Sequence, residues 1–184
     1  QAEHVRQELG DSVSLILEGG ACTLGIESTI IDVSGVTPRI LRPGSILPGQ
    51  LNKVIAVTTT TLKEKTIDVP RVSGMLLSHY APVTPLKIVT KTELGNLIEK
   101  LATSNKKFSV LSYSLKRNKE QQNIFWFAMP LDAKNYAHEL YATMRAADEK
   151  QGEVILVEAI PDAEEWTAIW DRLQKASHLN PLSR

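Results

Sequence analysis

"EVILVEAI", residues 153–160, is a short apolar run in which polar residues do not alternate with apolar ones, so it reads as a strand covered on both faces rather than one facing water. Covering two faces requires helices on both sides, and the flanking sequence supplies them. Upstream, Tyr136, Leu140, Tyr141, Met144 and Ala147 recur at helical spacing. Downstream, a final helix is expected with Asp162 as N-cap and Glu165 three residues on, and Trp166, Ile169, Trp170 and Leu173 form its inward stripe. Further back lie the strands "IFWFAM" (124–129), "FSVLSYS" (108–114) and "LKIVT" (86–90). Between the last two a helix opens at Thr92 with Leu94, Leu97, Ile98 and Leu101 on one face. Strands alternating with helices predict a three-layer α/β domain with a mostly parallel sheet over residues 85–184.

Residues 1–57 have a different texture. A short helix, Ala2–Leu9, ends at Gly10. Three strands follow: "VSLILEGG" (13–20), "STIIDVSG" (28–35) and "PRILRPG" (38–44), each an apolar or β-branched run bounded by Gly or Pro. Residues 58–84, rich in Thr, Pro and small residues, lack sustained periodicity and read as an interdomain linker.

The 184 residues carry 21 Lys plus Arg against 21 Asp plus Glu, which leaves no overall positive field for a nucleic-acid backbone, so direct nucleic-acid binding is not expected. No run of about 18 apolar residues suggests a membrane span. The single cysteine, Cys22, cannot form an internal disulfide. It reads as a structural or loop thiol in a reduced, cytoplasmic setting. The chain starts at Gln1 rather than Met, which suggests the C-terminal part of a longer protein.

In the second domain, "KTELGNLIEK" after the first strand lacks the G-x-G-x-x-G turn of dinucleotide sites. Trp126, Trp166 and Trp170 sit in apolar stripes and read as core. His138 and His178 have no partner at metal-ligand spacing, so no metal site is expected.

The informative chemistry lies upstream. Arg42 precedes Pro43, whose ring pushes its predecessor toward extended geometry, so the guanidinium projects from a strand end. Ser45 could cap a helix beginning at Ile46, with Pro48 in its first turn. An Arg beside a helix N-terminus would then make an anion site, and a salt bridge is the alternative. With a two-residue period, Ser28 and Asp32 fall on one side of their strand and Thr29 and Ile31 on the other. Ser28 would sit at a strand mouth, as a ligand contact or as the hydroxyl of a turn that caps the strand.

"LILEGGACTLGIESTIID", then "RILRPGSI", then "SGMLLSHYAP" resemble, in order and spacing, the threonylcarbamoyl-AMP synthase family in its two-domain form. The tail "NYAHELYATMRAADEKQGEVILVEAIPDAEEWTAIWDRLQKAS" is similar to the end of that family's accessory domain. The resemblance implies the C-terminal part of a YrdC-like catalytic α/β domain (1–57), a linker (58–84) and a Rossmann-like accessory domain (85–184). It further implies a nucleotidyltransferase that converts ATP, L-threonine and bicarbonate to threonylcarbamoyl-adenylate and pyrophosphate, with Mg2+ accompanying ATP. Downstream proteins would place the group on adenosine 37 of certain tRNAs. By the same resemblance Ser28 holds threonine, while Arg42 and Tyr80 face the nucleotide; no catalytic residue is assigned.

The family's K-x-R and S-x-N motifs belong to an N-terminal part not in this chain, so the fragment alone is expected to be inactive. The linker also departs from the family's pattern: residues 72–82 read "VSGMLLSHYAP" where the family has S-P-G-M, a basic and an aromatic residue, then R-H-Y-A-P. A non-catalytic ligand-binding or regulatory module is the rival reading.

Overall fold

The computed structural model describes residues 1–56, 72–74, 81–117 and 121–177. Tyr80 and His178 lie outside the described residues, as does most of the expected linker.

Four parallel strands form the sheet of the second part: β3 (Leu86–Val89), β4 (Phe108–Ser112), β5 (Ile124–Ala128) and β6 (Ile155–Glu158). They stand in the order β3-β6-β4-β5, with Leu86 opposite Ile155, Ser109 opposite Ile155 and Phe108 opposite Ile124. The run that predicted a doubly covered strand is therefore an interior one, and all four residues of β6 are buried.

The pleat sends alternate side chains to opposite faces. Leu156, Phe108 and Val110 join Leu94 of α3 (Lys91–Ala102) on one side. Ile155, Val157 and Leu111 join Tyr136, Leu140 and Met144 of α4 (Ala133–Asp148) and Ile169 and Leu173 of α5 (Thr167–Ser177) on the other. Helices thus lie on both faces of a parallel sheet, the three-layer arrangement expected. α3 begins one residue earlier than expected, because Thr90 is its N-cap: Thr90 Oγ1 accepts from Glu93 N while the Glu93 carboxylate accepts from Thr90 N, each satisfying an otherwise orphaned donor.

The first part is less regular. Helix α1 (Ala2–Leu9) forms and ends at Gly10, as read. The expected strand 13–20 is irregular instead, with Leu15 and Leu17 74% and 82% exposed. A strand exists through its ladder, and none of the described residues pairs with this run. β1 (Ile30–Asp32) and β2 (Arg39–Arg42) pair antiparallel, with Ile30 opposite Arg42 and Ile31 opposite Ile40, so the register slips between Ile30 and Ile31. The slip leaves Leu41 as the extra residue on β2; on β1, Asp32 is buried in an ion pair with Arg39, whereas Ser28 is exposed and precedes the ladder.

Two caps also differ. α2 is only Pro48–Leu51, with Leu47 as N-cap. Ser45 has nothing to cap, since Pro48 lacks an N–H and Leu47 N donates to Gln50 Oε1 at 2.9 Å. Before α5 the chain makes a single 3-10 turn, Glu164–Trp166, whose N-cap is Ala163 rather than Asp162.

Candidate functional site

The pairing of β1 with β2 lays the residues before β1 beside those after β2. Gly44 makes this approach possible: a Cβ there would sit 2.3 Å from Thr29 N and 2.5 Å from Glu27 O. The Thr29 hydroxyl accepts from Ile46 N at 3.1 Å and donates to Ile46 O at 2.8 Å, which holds the turn after β2. Arg42, buried at the end of β2, reaches back across the same seam. Its Nε and Nη2 donate to Ser28 O at 3.1 and 2.9 Å, and Nη2 also lies 3.3 Å from Ser28 Oγ. Nη1 donates to Ser73 O at 3.0 Å, and Gly74, at φ +83°, packs on the Arg42 side chain. Ser28 and Arg42 are therefore in contact, and a turn from the region expected to be linker closes on them. Among the described residues no carboxylate bridges Arg42; its partners are carbonyl oxygens and one hydroxyl.

The helix-terminus anion site beside Arg42 does not form. α2 is a single turn, and its Gly49 N–H donates to Glu164 Oε1 at 2.5 Å, so a carboxylate from the second part satisfies that donor.

Glu27 and Arg172 escaped sequence reasoning. Arg172 on α5 is 1% exposed; its Nε donates to Glu27 Oε2 at 2.8 Å and its Nη2 to Pro43 O at 3.2 Å, while Nη1 pairs with Asp171. Tyr141 OH lies 3.1 and 3.2 Å from the two Glu27 oxygens, and Lys175 Nζ is 2.8 Å from Asp171. Burial works against the Arg172 charge, but the bond to Glu27, with the charges of Glu27 and Asp171, outweighs it and raises the guanidinium pKa. Nearby, Gly25 (φ +66°) meets the backbone of His138, where a Cβ would come within 2.3 Å of its Cα. A glutamate at position 27, just before the strand expected at 28–35, is the one local signal that could have found this region; Arg172 has none.

Other titratable groups are accounted for structurally. Asp32 falls to about 2, first through its bond from the Ser34 hydroxyl and then through Arg39. Burial pushes Glu158 upward, yet bonds from Ser112 Oγ at 2.5 Å, Ser114 Oγ, Ser114 N and Tyr113 N hold it below its ordinary value. Cys22 is an exposed loop thiol and His138 an exposed helical residue. Trp166 and Trp170 belong to the core on the α4–α5 face and Trp126 packs against the other core, as read. Among the described residues no group of three or more His, Cys, Asp or Glu could hold a metal ion, and no helix is long and apolar enough to cross a membrane. An open depression of about 790 Å³, lined by Gln7, Thr84, Arg145, Asp148 and their neighbours, includes neither Ser28 nor Arg42.

A family model described as "Threonylcarbamoyl-AMP synthase, C-terminal domain" matches residues 46–178. The chain belongs to that family. A second model, described as "Telomere recombination", matches residues 1–44, the part that holds Ser28 and Arg42. The threonylcarbamoyl-AMP synthase of Pyrococcus abyssi is 27% identical over 184 residues, covering 96% of this chain and 53% of its own length. That of Bacillus subtilis is 29% identical over 185 residues, covering 96% and 52%. The chain thus spans about half the length of these transferase relatives. In three dimensions it is similar to P. abyssi Sua5 complexed with L-threonine (TM-score 0.77, 26% identity, 96% of this chain and 53% of that one). It is also similar to a P. abyssi Sua5 variant with an adjacent His and Tyr both changed to Ala (TM-score 0.79, 25% identity, 96% and 52%).

Proposed function

We propose that residues 1–57 contribute the C-terminal part of a nucleotidyltransferase site that makes threonylcarbamoyl-adenylate from ATP, L-threonine and bicarbonate. The observation that carries this reading is the contact of Ser28 with Arg42, closed by the Ser73–Gly74 turn. A relative of similar structure is known with L-threonine bound. The exposed Ser28 hydroxyl is suited to hold that amino acid. Arg42 brings a permanent positive charge beside it while its donors fix Ser28 and Ser73. Tyr80 would reach the nucleotide, and His79–Tyr80 is the one His-Tyr step in this sequence, the same dipeptide replaced in the solved variant.

Bicarbonate and the threonine amine would form a carbamate with loss of water. A carbamate oxygen then attacks the α-phosphorus of ATP, and the bond to the β-phosphate breaks to release pyrophosphate. Mg2+ would arrive with ATP on its phosphates. In such displacements the protein mainly positions groups and neutralises charge, for which a hydroxyl and a guanidinium are suitable. The product would pass in the cytoplasm to proteins that modify adenosine 37 of tRNA.

Pyrophosphate release that depends on both threonine and bicarbonate tests this. The full-length protein should show it, and residues 1–184 alone should not. A full-length protein that binds ligand without releasing pyrophosphate would favour the regulatory-module reading.

A further inference from the structure

We propose that Arg172, on the accessory domain's last helix, is a positioning residue for the threonine and nucleotide site: it clamps the residues next to Ser28 and Arg42 from outside. The proposal rests on the catalytic reading above. One guanidinium touches two separate segments of the first part, Glu27 through Nε at 2.8 Å and the Pro43 carbonyl through Nη2 at 3.2 Å. Glu27 precedes Ser28 and Pro43 follows Arg42, so each site residue has its immediate neighbour anchored to α5.

The two segments also touch each other, because Gly44 lies against the backbone of Glu27, Ser28 and Thr29. They are stapled twice: Arg42 bonds Ser28 O from within, and Arg172 holds Glu27 and Pro43 from the accessory domain. Arg172 is in turn fixed by Asp171, which Lys175 also holds, and Tyr141 donates to Glu27 from α4.

A buried ion pair adds little net stability over a well-packed apolar substitute, but its planar fork imposes a geometry that packing does not. Geometry is what the reaction needs, since a displacement of about 1 Å in a positioned reactant can cost about a hundredfold in rate. On this view the accessory domain shapes the site without contributing an atom to it.

The test compares wild-type full-length protein with Arg172→Lys and Tyr141→Phe, measuring KM for L-threonine and for ATP, kcat and thermal unfolding. Lysine keeps the charge but cannot hold Glu27 and Pro43 together, so both KM values should rise by about tenfold while most of the protein stays folded. Tyr141→Phe removes only one hydroxyl and should move the same KM values in the same direction by a smaller factor. It carries the test if Arg172→Lys does not fold. A merely structural role would lower the melting temperature and the active fraction with KM unchanged. That pattern in an active wild-type background overturns the positioning role and leaves the catalytic reading standing. A wild type without threonine-dependent pyrophosphate release removes both.

Discussion

Arg42 performs two tasks that substitution can separate. Its donors hold the Ser28 and Ser73 carbonyls, and its charge lies beside the Ser28 hydroxyl. Arg42→Ala should therefore lower stability by about 1.5 to 3 kcal/mol, the usual worth of hydrogen bonds made by a charged group, and also weaken ATP use about tenfold or more. Urea unfolding and KM for ATP, measured on one preparation, read the two effects apart; intact ATP use in a destabilised variant would leave Arg42 purely structural. Gly44 is the stricter case. A methyl group there meets three backbone atoms of the Glu27–Thr29 segment, at 2.3 to 2.5 Å, and no rotamer change can relieve that contact. Gly44→Ala should cost about 1 to 3 kcal/mol by forcing the Glu27–Thr29 segment away, seen as a lower urea midpoint and a raised KM for threonine.

Among the elements, the β1–β2 pair is short, and one carboxylate anchors its far end. Asp32 binds the Ser34 hydroxyl, Ser34 N and Arg39, with its pKa lowered from 3.8 to about 2. A depressed carboxylate stabilises the fold fully above its unfolded pKa, and that contribution is lost as pH falls through the folded value. Asp32→Asn should thus be less stable than wild type at pH 5 and above. The gap should narrow from about pH 4 downward and close near pH 2, which urea unfolding at several pH values would follow. A gap that stays constant across this range would show that the Asp32 charge is not what matters. Against the larger sheet packs α4, whose Leu140 is fully buried in the core shared with β4, β6 and α5 residues. Leu140→Ala should cost about 2 to 5 kcal/mol, by loss of burial plus the cavity left behind.

Across the whole molecule the two parts differ in how they are held. Residues 86–177 bury two continuous cores, one on each face of the sheet, whereas residues 1–56 expose Leu15, Leu17, Val33, Val36 and Val54. A block of fewer than about 60 residues is marginal even when complete. In the isolated chain, amides of residues 1–56 should exchange with solvent faster than those of 86–177, as hydrogen-exchange mass spectrometry would show. The exception should be residues 25–29, which Arg172, Tyr141 and the close contact of Gly25 with His138 tie to α4 and α5. Uniform protection would mean that the first block folds independently.

The parallel α/β fold of residues 86–177 was legible because its signals are local and repeated. An apolar run at 153–160 and helical stripes at 136–147 and 166–173 each state which face is buried, and each element's environment follows from its own period. Ser28 and Arg42 were reached through motif order. Their contact, however, is made across the strand pair beside a register slip at Ile30, which no pattern of side chains announces. The misread strand at 13–20 failed for a related reason: an apolar β-branched run is only a candidate until another strand supplies its hydrogen bonds. The clamp from Arg172 to Glu27 spans 145 positions. A charged residue beside a helix stripe looks solvent-facing in one dimension, and only the packing of α5 against the turn at Pro43 buries it. Periodicity reports what an element must hide, whereas long-range polar partners are set by how the elements dock, and that information is not local to either residue.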